Sequence, residues 1–453
     1  MSGTIGDNFY RASGVIAAAA AGRTGTVDWI TTPKVTGDSP VTGVTGKGYF
    51  LNTTAGTITL NLPAGVAGSI VSMADYAETW QTNNVTVTPN GSEKIGSVNA
   101  SVTLDTKGQS VTLVYVDSTQ GWINTMDSTS NVRGIPPYIT ATGGTPCSGA
   151  IVCTDYKVHT FTGPGTFCVS GGGTAAPCSG SGSNTVDYLV VAGGGSGSIG
   201  NGSNSGGGGG AGGYRESPGT ASGCYSVSPR GAAPAVALSV SIQGYPISVG
   251  GGGAISPSTR SCAGVNSTFS TITSTGGGAG GAGSGSPGPG DGGDGGSGGG
   301  ARGSHGTFSM GAGNTPSTNP AQGMPGGNCA SGGPIGDIEG GGGGGAITAG
   351  GDGTTGPRIG GPGGPGATSS INATPTQRAG GGGGGSGSPC ATAGTGGDGG
   401  GGTGAKGTGP TPVSAATAGT ANTGSGGGGG GNSALVGGAG GSGVVIIRYK
   451  FQN

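Results

Sequence analysis

Apolar and polar residues alternate in several short runs along the first third of the chain, which is the pattern of half-buried β-strands. Asn90-Gly91 has the composition of a hairpin turn. The runs are GYFLN (48–52), TITLNL (57–62), SIVSM (69–73), VTVT (85–88), VTLD (102–105) and SVTLVYVD (110–117). Short strands at regular spacing predict an antiparallel β-sandwich or barrel over residues 26–133, with Trp80 and Trp122 in or beside its core.

Strong strand-forming runs return at the two ends of a long glycine-rich stretch. VDYLVVA (186–192) opens this stretch and VVIIRYKF (444–451) closes it, and a further aliphatic run lies at 235–249. Because two apolar strands bracket the glycine-rich residues, we expect them to pair at the base of one domain.

The chain therefore divides into four predicted parts. They are an N-terminal attachment arm (1–25), the antiparallel β domain (26–133), a cysteine-containing connector with one strand (134–185) and the glycine-rich domain (186–453). The arm contains GVIAAAAAG (14–22), a small-residue run that we expect to pack closely against another chain rather than to be a cleaved leader.

Glycine dominates the last part. Of the 120 glycines, 93 lie in residues 190–453, in tracts such as 206–210, 340–345 and 426–431. No ordinary hydrophobic core can form there, so backbone hydrogen bonds must hold the region together. The composition is typical of disordered chains, yet those carry high net charge, whereas this chain has 17 basic and 18 acidic residues. The bracketing strands also favour an ordered domain.

Extended polyglycine has a known conformation in which backbone groups can hydrogen-bond between neighbouring chains. It favours the left-handed polyproline II conformation, with three residues per turn, about 3.1 Å rise per residue and no internal hydrogen bonds. Without Cβ atoms, neighbouring helices can approach closely and hydrogen-bond laterally. The sequence predicts packed polyglycine II helices bracketed by β-strands, and the non-glycine stretches are then the turns at the ends of the bundle.

The low charge limits the partners and ligands. The chain has no basic patch, so we expect no nucleic-acid binding. No run of 18 apolar residues exists, so we expect no membrane insertion. Asp291 and Asp294 (GPGDGGDGG) faintly resemble a calcium-binding repeat but lack its apolar position and its repetition. We therefore expect no metal site.

Eight cysteines are spread over the connector and the glycine-rich region. Their even number and wide spacing favour disulfides in an oxidising setting, and no spacing matches a zinc site. Disulfides are predicted among Cys147, Cys153, Cys168 and Cys178 of the connector, with free buried thiols as the alternative.

Two sequence patterns resemble a dinucleotide-binding motif and a catalytic carboxylate pair, but the glycine-rich composition accounts for both. Gly195, Gly197 and Gly200 satisfy the dinucleotide fingerprint after a strand, but the residues that follow are too glycine-rich to form the helix that would hold a pyrophosphate. Asp337 and Glu339 are the closest carboxylate pair, yet they lie beside a glycine tract rather than on a rigid scaffold. We expect no enzymatic activity and no cofactor.

The order of the glycine-region motifs resembles a known family. The motifs are YLVVAGGG, GGGGGAGGYRE, YPISVGGGG, NSTFSTITSTGGGAGG and GGSGVVIIRYK. Over residues 185–451 they are similar to the glycine-rich domain of tailed-bacteriophage tail fibres and adhesins. The N-terminal stretches SGTIGDNFYRASGVIA, GYFLNTTAGTITLNLP and NGSEKIG are similar to virion-attachment and β domains of phage fibre proteins.

This resemblance implies a non-enzymatic virion fibre protein on the exterior of the particle. In such adhesins the domain is a sandwich of polyglycine II helices whose tip loops bind the host surface, and the fibres are homotrimers joined to other virion proteins, here through the N-terminal arm. The alternative is a structural head fibre, decoration protein or tail connector in which the glycine-rich domain is a rigid spacer.

A host-cell surface receptor would be contacted by aromatic and cationic turn residues, since these side chains supply most interface energy. The candidates are Tyr225, Arg230, Arg260, His305, Phe308 and Arg358. The alternative is that they only cap the bundle.

Overall fold

The structure is a computed structural model of an all-β protein, and its described residues include two short 3-10 turns, Thr36–Asp38 and Pro229–Gly231. It divides into two compact units, Met1–Gly134 and Ile135–Asn453. The predicted arm, 1–25, lies outside the described residues. These are 27–128, 138–173, 184–200, 204–223, 225–256, 261–282, 290–304, 308–330, 338–387, 390–407, 413–432 and 435–452.

The described part of the first unit contains strands β1 to β9. They are β1 (Asp28–Val35), β2 (Val41–Thr42), β3 (Lys47–Asn52), β4 (Ile58–Asn61), β5 (Ile70–Asp75), β6 (Val85–Thr88), β7 (Val102–Leu104), β8 (Ser110–Asp117) and β9 (Gly121–Ser128).

The first six strands of this unit alternate between two sheets. β1, β3 and β5 lie side by side in one sheet and β2, β4 and β6 in the other, and all four of these pairings are parallel. The last three strands pair antiparallel: β7 with β6 in one sheet, and β8 with β5 and β9 with β8 in the other. The two sheets enclose one apolar core, in which Trp80 and Trp122 are fully buried. The predicted core position of these tryptophans is confirmed.

The predicted antiparallel sandwich or barrel over 26–133 is wrong for the first six strands. Each connection carries the chain across to the opposite sheet instead of folding it back as a hairpin. The next strand of the same sheet therefore arrives one coil later and in the same direction. The Asn90-Gly91 turn lies inside the long connection 89–101 between β6 and β7.

The described part of the second unit contains strands β10 to β22. They are β10 (Thr140–Thr142), β11 (Thr145–Val152), β12 (Tyr156–Phe161), β13 (Gly165–Gly171), β14 (Thr185–Val191), β15 (Tyr214–Glu216), β16 (Leu238–Ser239), β17 (Gln243–Ser248), β18 (Ser267–Phe269), β19 (Ile272–Ser274), β20 (Ala367–Ser369), β21 (Thr376–Arg378) and β22 (Val444–Lys450).

Two sheets form the strand-rich part of this unit, in the orders β10-β13-β17-β18-β19 and β11-β12-β22-β14-β15. β14 and β22 pair antiparallel, with Leu189 opposite Ile446, which confirms the predicted pairing of the bracketing strands. Alternate residues of these two strands pack into two different clusters. One cluster contains Phe167 and Phe269 from the other sheet, and the second contains Ile371 beside the glycine-rich segments.

The connector predicted at 134–185 is not a separate part in the structure. β12 pairs with β22, and β13 pairs with β17, so these strands complete both sheets of the second unit. The sequence showed one strand there because the others are short or interrupted by glycine, proline and cysteine.

Between the strands, glycine-rich segments hydrogen-bond sideways to one another. Gly206, Gly209 and Gly212 donate their amide protons to carbonyl oxygens of the segment 424–430, with N···O distances of 2.7–2.8 Å. Donors three residues apart thus reach the same neighbour. The other amides of this stretch follow the same rule. Those of Gly207, Gly210 and Gly213 donate to carbonyls of segment 275–281, and those of Gly208 and Ala211 donate to carbonyls of segment 341–344.

The carbonyls of this central segment, residues 206–213, accept hydrogen bonds from three further neighbours: 192–198, 297–300 and 382–385. The central segment therefore has six hydrogen-bonded neighbours. These neighbours also bond to one another, as in the bonds from the Gly427 amide to the Gly195 carbonyl and from the Gly343 amide to the Gly382 carbonyl.

Only glycine fits at these close approaches. A Cβ built at residue 209 would lie 2.1 Å from the carbonyl oxygen of Gly195, and one at residue 343 would lie 1.9 Å from that of Gly209. Because the obstructing atoms belong to the backbone of hydrogen-bonded neighbours, no side-chain rotation can relieve the clash. By contrast, a Cβ at Gly251 meets no atom within 4 Å.

We predict that Gly209→Ala destabilises the second unit by about 3 kcal/mol or more, since the added methyl group forces hydrogen-bonded backbones apart. Gly251→Ala is the matched control, and its stability should be unchanged or higher by up to about 1 kcal/mol, because alanine restricts the unfolded chain. Thermal and denaturant unfolding would measure both. Equal midpoints for the two variants would contradict the close packing of the central segment.

Candidate functional site

The glycine-rich segments run between two ends of the second unit. Segment 192–200 leaves β14 and 206–213 returns to β15, while 379–387 leaves β21 and 435–443 returns to β22. Lateral hydrogen bonds hold these segments side by side. We call the end with the strands the base and the opposite end the distal end, and the glycine-rich segments reverse direction at both ends.

Phe308 lies at the distal end and is held by its neighbours. The Arg302 guanidinium carbon lies 4.4 Å from the centre of the Phe308 ring. Gly290 also contacts the ring, since a Cβ there would lie 2.6 Å from ring atoms. The remaining exposed part of the half-buried Phe308 is what a partner could contact.

Arg302 is a distal residue that the sequence analysis missed. It is 7% exposed, and its guanidinium donates to the Ala282 carbonyl at 3.1 Å and to the Ser304 hydroxyl at 3.4 Å. Burial lowers the pKa of this guanidinium from its usual value. The signal in the sequence was an arginine at the end of a glycine tract, close to the candidates His305 and Phe308.

Arg358 also lies at the distal end, in the turn between Thr354 and Ile359. Its backbone has a φ of +52°, and its carbonyl accepts a hydrogen bond from the Thr392 amide at 2.9 Å.

Arg260 and His305 lie outside the described residues. The described residues next to them in the chain, Ser261 and Ser304, end glycine-rich segments at the distal end. Of the six candidate receptor residues, Phe308 and Arg358 are thus described at this end.

Tyr225 and Arg230 lie at the base instead. The Tyr225 ring packs 5.1 Å from the Arg448 guanidinium, which also lies 4.8 Å from the Tyr156 ring. Burial raises the pKa of the Tyr225 hydroxyl. Arg230 donates from Nε to the carbonyl of Ala346 at 2.6 Å. Both side chains contact the protein itself.

Two buried acidic residues organise the base. The Asp187 carboxylate accepts hydrogen bonds from the Ser217 hydroxyl at 2.7 Å and from the Ser222 amide at 2.7 Å. The Glu216 carboxylate accepts from the Ser228 amide at 3.0 Å and from the Ser369 hydroxyl. Burial raises the pKa of Glu216. The sequence signal for Asp187 was an acidic residue within an otherwise apolar strand, whereas Glu216 lies in the short polar strand YRE and had no such signal.

These features agree with a comparison against protein families. The model described as a glycine-rich domain matches residues 170–450. The chain belongs to this glycine-rich domain family. The match begins within β13 and ends at the last residue of β22, so it includes the bracketing strands and the glycine-rich segments between them. A search of curated proteins found no match.

Three of the four cysteines predicted to form disulfides lie among the described residues, and all three are exposed. No disulfide joins Cys147, Cys153 and Cys168 to one another, which contradicts the predicted bridges among these three, and their exposure contradicts the alternative of buried thiols. Cys178 lies outside the described residues, so a disulfide to it stays a prediction.

Asp291 and Asp294 of the glycine-rich domain act as hydrogen-bond acceptors. Their carboxylates accept from the amides of Ser309 and Ala312 at 2.6 and 2.7 Å. Glu339 similarly accepts from the Gly387 amide at 3.1 Å, and Asp337 lies outside the described residues. Within the described ranges, no group of three or more histidine, cysteine or acidic residues could hold a metal ion. The same ranges contain no helix long and apolar enough to cross a membrane.

His159 is a fully buried titratable group beside the glycine-rich domain's last strand. Its Nδ1 lies 2.6 Å from the Gly143 carbonyl, which can only accept, so Nδ1 carries the proton. Its Nε2 faces the Tyr449 hydroxyl at 3.1 Å. Burial lowers the pKa of His159 from the usual 6.5, with an opposing effect from the Gly143 carbonyl.

We predict that the contribution of His159 to the stability of the second unit decreases as the pH falls below about 6.5. The unfolded chain takes up the His159 proton first, because the pKa is lower in the folded state. The contribution of this histidine is therefore complete above the unfolded pKa and is lost as the pH falls through the folded pKa. Unfolding midpoints of wild type and His159→Asn between neutral and acidic pH would measure it.

His305→Asn, which replaces the other histidine of the chain, is the matched control. The slope of stability against pH should be shallower in H159N than in H305N. Identical slopes would contradict a depressed pKa at His159.

Proposed function

We propose that this chain is a bacteriophage virion fibre protein that binds a host-cell surface receptor through the distal end of its glycine-rich domain. The single observation that carries the proposal is the topology, since the strands gather at the base and the glycine-rich segments reverse at the opposite end. Binding residues are commonly presented on loops by a rigid scaffold. The resemblance of the glycine-region motifs to phage adhesins supports the same assignment.

We further propose that the glycine-rich segments are polyglycine II helices. Donors at Gly206, Gly209 and Gly212 reach one neighbour, and this recurrence fits a helix with three residues per turn and no internal hydrogen bonds. Six hydrogen-bonded neighbours around 206–213 fit the side-by-side packing of such helices. A scaffold of this kind is stiff and exposes few side chains of its own.

The proposal puts the protein on the exterior of the virion as a non-enzymatic homotrimer, attached to other virion proteins through residues 1–25. The homotrimer is proposed by analogy with other fibres, in which three-fold closure buries strand edges. β1 is such an edge, because β3 is its one neighbour among the described strands. Trp29 and Val35 of β1 are 38% and 47% exposed.

A structural role is the second candidate: a head fibre, decoration protein or tail connector with the glycine-rich domain as a rigid spacer. The position of Tyr225 and Arg230 at the base favours it, because these two candidate residues serve internal packing.

Adsorption of the purified full-length chain to host cells, with inhibition of infection, tests receptor binding. A short flexible insertion after Gly356 at the distal end should weaken adsorption by about tenfold or more, as expected for loss of an interface hot spot. The matched control is the same insertion after Ile347 in a base turn, where the side chain is 37% exposed. Equal loss of adsorption from both insertions, or no adsorption by the wild type, would reject the distal receptor site. Stoichiometric attachment of the protein to phage particles, without adsorption to cells, would select the structural role.

A further inference from the structure

The surface segment 308–313 has carboxylates where the interior glycine-rich segments have backbone carbonyls. In the central segment, amides three residues apart donate to backbone carbonyls of one neighbouring segment. The Ser309 amide instead donates to the Asp291 carboxylate, at 2.6 Å. Three residues on, the Ala312 amide donates to the Asp294 carboxylate, at 2.7 Å. Ser309 and Ala312 are exposed, so the carboxylates occupy donors that a further segment could otherwise reach.

The two carboxylates are held in place by the backbone next to them. The Gly292 amide donates to the Ser309 carbonyl at 2.9 Å, and the Gly295 amide donates to the Ala312 carbonyl at 3.1 Å. Both backbone groups of Ser309 and of Ala312 thus bond to the same neighbour, segment 290–296. A charge-assisted bond to a carboxylate is stronger than one between neutral groups, so a backbone carbonyl of another chain does not displace it.

The same arrangement recurs on the next outer segment along the chain. The Asn328 amide donates to the Asp352 carboxylate at 2.6 Å, and the Asn328 carbonyl accepts from the Gly353 amide at 2.9 Å. Three residues earlier lies Pro325, which has no N–H, and its carbonyl accepts from the Gly350 amide at 3.0 Å. Of these two positions, one donor is thus capped by a carboxylate and the other is absent.

The segment 360–366 uses proline alone. Residues 360, 363 and 366 donate their amide protons to carbonyls of segment 392–398, and residues 361 and 364 donate to carbonyls of segment 340–343. The remaining residues of this three-residue pattern are Pro362 and Pro365, which have no N–H to donate. Pro362 is exposed, so proline stands where an amide would otherwise face solvent.

We propose that these side chains close the outer glycine-rich segments against lateral hydrogen bonding by a glycine-rich segment of a second copy of this chain. An exposed row of backbone donors is a template for pairing with another chain, and proteins protect the edges of β-sheets with charged residues and proline. The same two devices recur here at three-residue spacing. The residues that close the segments are Asp291, Asp294, Asp352, Pro325, Pro362 and Pro365.

A second copy is the occupant that fits these donors. Its glycine-rich segments carry carbonyls at the same three-residue spacing, and glycine has no side chain that would keep two backbones apart. The formal net charge of the whole chain is -1, so electrostatic repulsion between copies is weak. Protection against lateral association therefore falls to the aspartates and prolines. It follows from the lateral hydrogen bonds and is independent of the receptor binding proposed above.

Replacement of two of these carboxylates in the full-length chain tests the proposal. In Asp291→Ala/Asp294→Ala the amides of Ser309 and Ala312 lose their acceptors, and sedimentation velocity should show concentration-dependent assembly beyond the wild-type state. The association constant should rise by about tenfold or more, as expected for two added hydrogen bonds. Adding Ser309→Pro and Ala312→Pro to this double variant removes both amides and should restore wild-type sedimentation.

The four-fold variant is the matched control, since it has the same net charge and the same lost carboxylates as the double variant. It should keep a cooperative thermal transition, because each proline replaces a residue whose amide donates to an aspartate side chain rather than to the backbone. Wild-type sedimentation of the double variant would overturn the proposal, as would assembly that survives the prolines. Loss of the thermal transition in the four-fold variant would also overturn it, because these amides would then have a further role in the fold.

Discussion

The lateral hydrogen bond between glycine backbones is the interaction on which the second unit depends. Each residue of the central segment 206–213 has one backbone N–H donor and one C=O acceptor. Because residues three apart bond to the same neighbouring segment, the hydrogen bonds of the central segment reach six neighbours. Since most of these neighbours are glycines, hydrogen bonding and close contact replace the side-chain packing of an ordinary core. The arrangement tolerates no Cβ at positions such as Gly209, so the composition of the sequence follows directly from the geometry.

Such a bundle still needs an apolar anchor. β14 and β22 supply it, because their alternate residues pack into two different clusters, one between the sheets and one against the glycine-rich segments. Asp187 and Glu216 fasten the base loops to these strands through buried hydrogen bonds. The apolar side chains of these clusters are thus concentrated at the base.

The sequence alone predicted the all-β class, the pairing of the bracketing strands and the burial of the two tryptophans. It could not predict the parallel coils of the first unit, because the alternation of apolar and polar residues is the same in parallel and antiparallel strands. Nor could it tell which turns lie at which end. The base turn between 290–295 and 297–303 lies within one unbroken glycine-rich stretch, so reversals cannot be counted. For this reason Tyr225 and Phe308 looked equivalent in the sequence, although they lie at opposite ends of the domain.

Amide hydrogen exchange, resolved by mass spectrometry of proteolytic fragments, tests the central claim most directly. If lateral hydrogen bonds make the glycine-rich segments a solid body, the fragment with residues 206–213 will exchange as slowly as the fragments that contain β14 and β22. Exchange of that fragment at the rate of an unfolded chain, while both strands stay protected, would contradict the account.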